Sequence, residues 1–366
     1  TSGTANEGGA ISLGSSTAGQ TDDSFFEQNT AGTRWFMKQG TYTVGTNISQ
    51  SAGSTVNSPS FLEGFATIRG DKPNASTRPL LDCGAGACLL GIYVGTQSVR
   101  VTGTATATLA AGVGGIFIDS KFTNTSATAD RNALTGAVSG TYIRSEFSSV
   151  RGDGMEMAGR ELMVFDCWFH DSSKGLNLSG ATVSAAVVGS IFSSNYTAAL
   201  ESSGTSNDGV LLMYNTFYGA ENNLGIGVSF LTGSTAQVSM RGNIIQGFVT
   251  GVNSVDAQVL GFGDFNNYFD NTTDVTNWIK GENDTATDPQ FQDVTQITGT
   301  VGAFTAGNDR LVDTTKNFTT LGALAGDFVY IVSGTGATAG MYEVSSVATT
   351  TNPNDTLVVT PAPGTN

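Results

Sequence analysis

Residues able to move protons crowd into one stretch of the chain. Asp153, Glu156, Glu161, Asp166 and Asp171 follow one another closely, and the only histidine, His170, stands among them. Two carboxylates about 5 to 10 Å apart could hydrolyse a glycosidic bond by acid and base catalysis. A lyase would instead need a base, commonly helped by calcium held on Asp and Glu oxygens. Glu156 lies between Met155 and Met157 and so faces outward by alternation, and Asp166 is outward on a neighbouring strand. If the chain is an enzyme, Glu156, Asp166 and Asp171 are its catalytic candidates, and its class is polysaccharide lyase or glycoside hydrolase.

Other chemistries find no residues to carry them. One His and three scattered Cys cannot complete a zinc site. No Gly-X-X-X-X-Gly-Lys-Ser/Thr phrase offers a cradle for nucleotide phosphates, so no metal or cofactor is expected. Tyr142, Trp168, Tyr214 and Tyr268 could stack on sugar rings or serve packing; of these Trp168, Tyr214 and Tyr268 are kept as candidate glycan contacts.

The elements that must position these groups announce themselves by repetition. A seven-residue phrase returns roughly every two dozen residues: 116–122 (IFIDSKF), 141–147 (TYIRSEF), 163–169 (MVFDCWF), 186–192 (AVVGSIF), 211–217 (LLMYNTF), 239–245 (SMRGNII) and 263–269 (GDFNNYF). Its last position holds Phe122, Phe147, Phe169, Phe192, Phe217, Ile245 and Phe269, a file of apolar plugs. Two residues earlier stand Ser120, Ser145, Cys167, Ser190, Asn215, Asn243 and Asn267, small or amide side chains able to hydrogen-bond along a stack of strands. A second, shorter phrase follows at 154–157, 175–178, 227–230 and 251–254. Alternation within the phrases and Gly/Ser/Asn/Asp turns between them predict an all-β solenoid, a parallel β-helix, with at least two short strands per turn.

Composition agrees. The 366 residues include 48 Gly and only 13% charged residues, with 39% hydrophobic. Thirty-one acids against 16 bases give a formal charge of −15, which repels phosphate backbones and excludes nucleic acid as a partner. No run of apolar residues is long enough to span a bilayer, and the first residues lack the charged-then-apolar pattern of an export signal, so no membrane insertion is expected. Cys83 and Cys88 admit either a disulfide across a Gly-Ala loop or two thiols; Cys167 reads as an inert buried thiol.

The opening of the repetitive region, Arg34 to Val44 followed by Ala66-Thr-Ile-Arg-Gly-Asp71, resembles the first coil of the pectin-lyase-like right-handed parallel β-helix superfamily. The resemblance runs over roughly 32–294 and ends at Thr287 to Asp293 (TDPQFQD), similar to a common closing phrase. It implies a right-handed β-helix of about 11 turns at roughly 24 residues each. The superfamily includes lyases, hydrolases, adhesins and phage tailspikes, so it does not name an activity. The Asn-Thr-Asp, Gly-His-Gly and Arg-Ile-Lys phrases of polygalacturonase-like members are absent, as is the Arg-rich pattern of pectate lyases. Residues 298–366 resemble short β modules of bacteriophage structural proteins, through Gly326 to Ile331 (GDFVYI) and Ser333 to Val344. That likeness implies a small C-terminal β-barrel or sandwich, with 1–31 left as an N-terminal arm or cap.

Counting back from the plug, alternation sends the position five earlier outward. Unless the phase is off by one at some turns, Phe117, Tyr142, Val164, Val187, Leu212 and Met240 would then form an apolar outer strip, covered by a loop of the same chain or, as the resemblance to trimeric phage β-helices implies, buried in a homotrimer of parallel rods. Asp119, Arg144, Lys121 and Glu146 would pair between adjacent strands. The resulting expectation is a non-enzymatic structural or adhesive protein of a virion surface: a spike, fibre or capsid decoration. Its partners would be itself, other virion or cell-surface proteins and glycans. A secreted bacterial adhesin or surface-layer protein and a polysaccharide-degrading enzyme are the alternatives.

Overall fold

The computed structural model describes residues 34–43, 48–49, 60–74, 77–85, 88–89, 94–104, 110–111, 114–126, 131–136, 139–159, 161–180, 183–203, 209–219, 225–231, 237–255 and 260–289, and further on 303–304, 310–313, 317–318, 323, 328–331, 340–348 and 356–360. The arm expected over 1–31 lies outside them. The chain divides into two compact units, Thr1–Pro289 and Gln290–Asn366. No described residue is helical.

The first unit is a parallel β-solenoid. Each turn lays a strand on a first sheet of ten strands, from Arg34–Lys38 to Leu260–Asp264, and then on a second of ten, from Thr41–Thr43 to Asn267–Phe269. A third sheet of eight strands runs from Ala110–Ala111 to Thr273–Thr276. Neighbours within every sheet come from successive turns and run parallel, because the chain returns to the same place one rung further on.

The corner between the first and second sheets explains the repeated phrase. One residue per turn takes a left-handed conformation there: Asp119 (φ 50), Arg144 (φ 46), Asp166 (φ 53), Gly189 (φ 64), Tyr214 (φ 56), Gly242 (φ 66) and Phe265 (φ 59). Asp and Gly tolerate this region, whereas Arg, Tyr and Phe are held in it at some cost by the strands on either side. The next residue turns inward, into the file that begins Ser120, Ser145, Cys167, Ser190, Asn215 and Asn243. From Ser145 onward each member accepts a hydrogen bond from the backbone N–H of its counterpart one turn earlier: Ser145 from Ser120 at 3.2 Å, Ser190 from Cys167 at 3.1 Å, Asn215 from Ser190 at 2.9 Å. Corner amides that no strand can satisfy are thus paired inside the protein.

The plug file fills the core. Phe122, Phe147, Phe169, Phe192 and Phe217 stack face to face, with centroids 5.6, 5.0, 4.7 and 4.8 Å apart in succession. All five are fully buried. Each contributes about 1.5–3 kcal/mol by leaving water, and each ring pair about a further 0.5–1.5 kcal/mol.

Two expectations are corrected. Phe117, Tyr142, Val164, Val187, Leu212 and Met240 do not face outward: all are 0% exposed and belong to the same core. Phe117 stacks on Tyr142 at 4.9 Å and meets Phe122 edge-on at 5.8 Å. The left-handed corner residue lies between the two strands and adds one position to the count, so residues five apart both point inward. The second correction concerns the last turn, where Ile245 pairs with Tyr268 and the amide file passes from Asn243 to Asn266. Asn267 and Phe269 sit one place beyond the files assigned to them. Asn occupies both 266 and 267 and an aromatic both 268 and 269, so residue types alone fit either frame.

The second unit contains a five-stranded antiparallel sheet made of Ala303–Phe304, Arg310–Val312, Thr356–Thr360, Gly340–Ala348 and Phe328–Ile331 in that order. Phe318, Val344, Leu357 and Val359 form its core. Cys83 is disulfide-bonded and Cys167 is a free buried thiol.

Candidate functional site

The outer face of the second sheet carries a chain of charges around the single histidine. Lys121 and Glu146 are register partners on adjacent strands, and Lys121 Nζ lies 2.6 Å from Glu146 Oε1. The same oxygen is 2.9 Å from His170 Nε2, while His170 Nδ1 is 2.8 Å from Asp171 Oδ2. Trp168 lies under the imidazole at 4.0 Å and donates its indole N–H to Ser193 Oγ at 2.9 Å. Burial works against a charged imidazole, but the hydrogen bonds to Asp171 and Glu146 outweigh it and raise the His170 pKa. Burial likewise works against the Glu146 carboxylate, yet His170 and Lys121 bring its pKa down to about 2. The imidazole is thus clamped between two carboxylates, one at each ring nitrogen, which favour its protonated form.

The outer face of the third sheet carries the remaining acids in a diagonal pattern. Residues Asn132, Asp153 and Lys174 occupy one column, and Glu156, Asn177 and Glu201 a column further along the strands. Each member of the first column reaches up one rung to the second: Asn132 Nδ2 donates to Glu156 Oε2 at 2.7 Å, Asn177 Nδ2 donates to Asp153 Oδ2 at 2.9 Å, and Lys174 Nζ lies 2.6 Å from Glu201 Oε1. Burial pushes the Asp153 carboxyl pKa up, against the pull of Asn177 and Lys174, and Glu156 and Glu201 add to the rise.

The candidate acids are spread around the turn. Glu156 sits half-buried on the third sheet in the company of Asp153 and Glu201. Asp166 is exposed at the corner between the first and second sheets; Asp171 is exposed at the next corner (φ 49), bonded to His170. The three occupy different positions around one solenoid turn, and Glu201, which joins Asp153 and Glu156, was missed. The signal of this grouping was the short phrase, which places Asp153 level with Lys174 and Glu156 level with Asn177 on successive turns.

Of the aromatic candidates, Tyr214 is 61% exposed and leans over Gly242, where an added Cβ would meet its ring at 2.7 Å. Trp168 is half-buried and engaged by His170 and Ser193. Tyr268 is 1% exposed and belongs to the core file, so it offers no platform to a sugar. The expected cross-strand pairs are present: Arg144 forks onto Asp119 at 2.8 and 3.1 Å, and Lys72 joins them at 3.4 Å.

Sequence counting also missed the apolar face that does reach the surface, because it assigned that role to the core strip. Ile116, Met163 and Phe262, on the outer face of the first sheet, are 37%, 48% and 67% exposed. No helix among the described residues is long and apolar enough to cross a membrane, and no group of three acidic, His or Cys side chains there is placed to hold a metal ion. No protein-family model and no curated protein sequence matches the chain.

Proposed function

We propose that the chain is a structural or adhesive component of a bacteriophage virion exterior, a spike, fibre or capsid decoration protein. The observation that carries this reading is the use made of the charged side chains. Glu146, Asp119, Asp153, Glu156 and Glu201 each bond a group on a neighbouring turn, so the acids brace the stack instead of converging on a common point. A brace repeated along a solenoid suits a protein whose work is to stay rigid outside a cell. The likeness of the C-terminal phrases to phage β modules supports the virion in particular. Mass spectrometry of purified virions tests it: absence of the chain from particles of the phage that encodes it overturns the proposal.

A secreted adhesin or surface-layer protein is the rival reading, and the disulfide at Cys83 suits any protein that works outside a reducing cytosol. One observation favours the polysaccharide-degrading alternative, namely Asp153 with its raised pKa beside Glu156 and Glu201, which is the pairing of a proton donor with carboxylates. Incubation with host capsular or cell-wall glycans separates the two. Chain cleavage that disappears in Asp153→Asn or Glu156→Gln would make the protein an enzyme.

A further inference from the structure

We infer that the outer face of the first sheet is a self-association surface, and that two copies pair on it face to face with their solenoids antiparallel. One outward column of this sheet is built of alternating sizes. Phe61, Ile116, Met163, Leu211 and Phe262 occupy every second rung, and Gly95, Thr141, Ala186 and Ser239 fill the rungs between them, with Arg34 beyond Phe61 at the end of the column. Between Met163 and Phe262 the small residues leave a groove of about 660 Å³, floored by Ala186, Gly209 and Ser239. The adjacent outward column adds Ile143, Phe165, Val188 and Met213, all half-buried.

The alternation selects the occupant. A two-fold axis along the strand direction reverses the order of rungs while keeping each column opposite itself. Placed between the Met163 and Ala186 rungs, it sets Met163 on Ala186 of the second copy, Leu211 on Thr141, Ile116 on Ser239 and Phe262 on Gly95. At the three inner pairs every bulky side chain then meets a small one, in both directions at once, as an isologous contact requires, while at the margin the Phe61 ring already lies over Gly95. A parallel pair or a threefold assembly sets each rung against itself, bulk on bulk and gap on gap, which does not close-pack.

Charge and area agree. The chain carries −15, so copies repel except where acids are missing. Other outer faces hold Glu146, Asp153, Glu156 and Glu201; this one has Glu161 at its margin, opposite Ser184 of the second copy, Arg241 and Asp264 near one end, and Lys38 and the Arg34–Glu63 pair at the other, beyond the eight rungs. Eight rungs at about 4.8 Å by five residues at about 3.3 Å give a footprint of roughly 600 Å² on each copy. That is about 1,200 Å² in total, enough for a specific interface.

Sedimentation and light scattering at micromolar concentration should show a dimer. Ala186→Glu, on a half-exposed position that leaves the core untouched, should weaken it at least about tenfold with unchanged circular dichroism, and Ser239→Glu two rungs away should do the same. Under mild oxidation the double variant Thr141→Cys, Leu211→Cys should form a covalent dimer, whereas Thr141→Cys alone should not. A wild-type monomer at high micromolar concentration, a dimer indifferent to both glutamates, or self-crosslinking of Thr141→Cys alone overturns the inference.

Discussion

Asn243 lies directly over Asn215 inside the corner, and its Oδ1 accepts both the backbone N–H and the side-chain N–H of Asn215, each at 3.0 Å. Asn215 Nδ2 also donates to Val187 O at 2.9 Å, and the pattern repeats from Asn243 to Asn266. The file closes on a carboxylate: Asp284 Oδ1 accepts from Asn266 N at 2.7 Å. One amide per turn therefore serves two neighbours while 1% exposed.

Removing that amide should be costly because it strands donors that water cannot reach. Asn243→Ala is expected to destabilise the solenoid by on the order of 3 kcal/mol. Asn243→Ser keeps an acceptor of the kind used by Ser145 and Ser190 in the same file, and should cost about 1 kcal/mol. Denaturant midpoints of the two variants against wild type check the ranking; equal losses would mean that the ladder is not the source of stability.

Stability should depend on pH through His170 and Glu146, and the two signs are opposite. The His170 pKa is raised by folding, so its contribution is complete below about 6.5 and is lost as pH climbs through the higher folded value. The Glu146 pKa is lowered to about 2, so its contribution is present above the unfolded value near 4.5 and disappears as pH falls towards 2. Urea midpoints measured across this range should decline on the alkaline side in wild type, and that decline should flatten in His170→Gln.

The aromatic stack should behave as a single core. Phe169→Ala leaves a cavity between Phe147 and Phe192 and should cost about 3–5 kcal/mol, measured by thermal or denaturant unfolding. A loss below about 1 kcal/mol would show that the neighbouring rings close the gap.

Cys167 should be silent. Burial pushes its thiol pKa up to about 12, so a thiolate-directed reagent should label it only when the solenoid unfolds. Its place in the Ser/Asn file, accepting from Ser145 N at 3.4 Å, makes Cys167→Ser a change of under about 1 kcal/mol. Rapid labelling of the native protein would contradict the burial.

Much of the architecture was legible because a solenoid writes its period into the chain. Each turn meets only its neighbours, so Phe122, Phe147, Phe169, Phe192 and Phe217 must recur together, and Ser and Asn must recur where corner amides need acceptors. The pairing of Asp119 with Arg144 and of Lys121 with Glu146 could be read the same way, since register on adjacent strands follows from the repeat. Glu201 was harder to group with Asp153 and Glu156, because it lies two turns further along the chain and meets them only through stacking.

The sequence by itself determined the parallel stack, its plug file and its amide file, through side-chain types repeated at one period. Only the tertiary structure decided which way the other columns point. A single left-handed residue at each corner shifts the parity of alternation, and residue type does not announce it, since Asp119, Arg144, Gly189 and Tyr214 all take the role. That one conformational choice sends Phe117 and Val164 into the core and leaves Ile116 and Met163 to face the solvent.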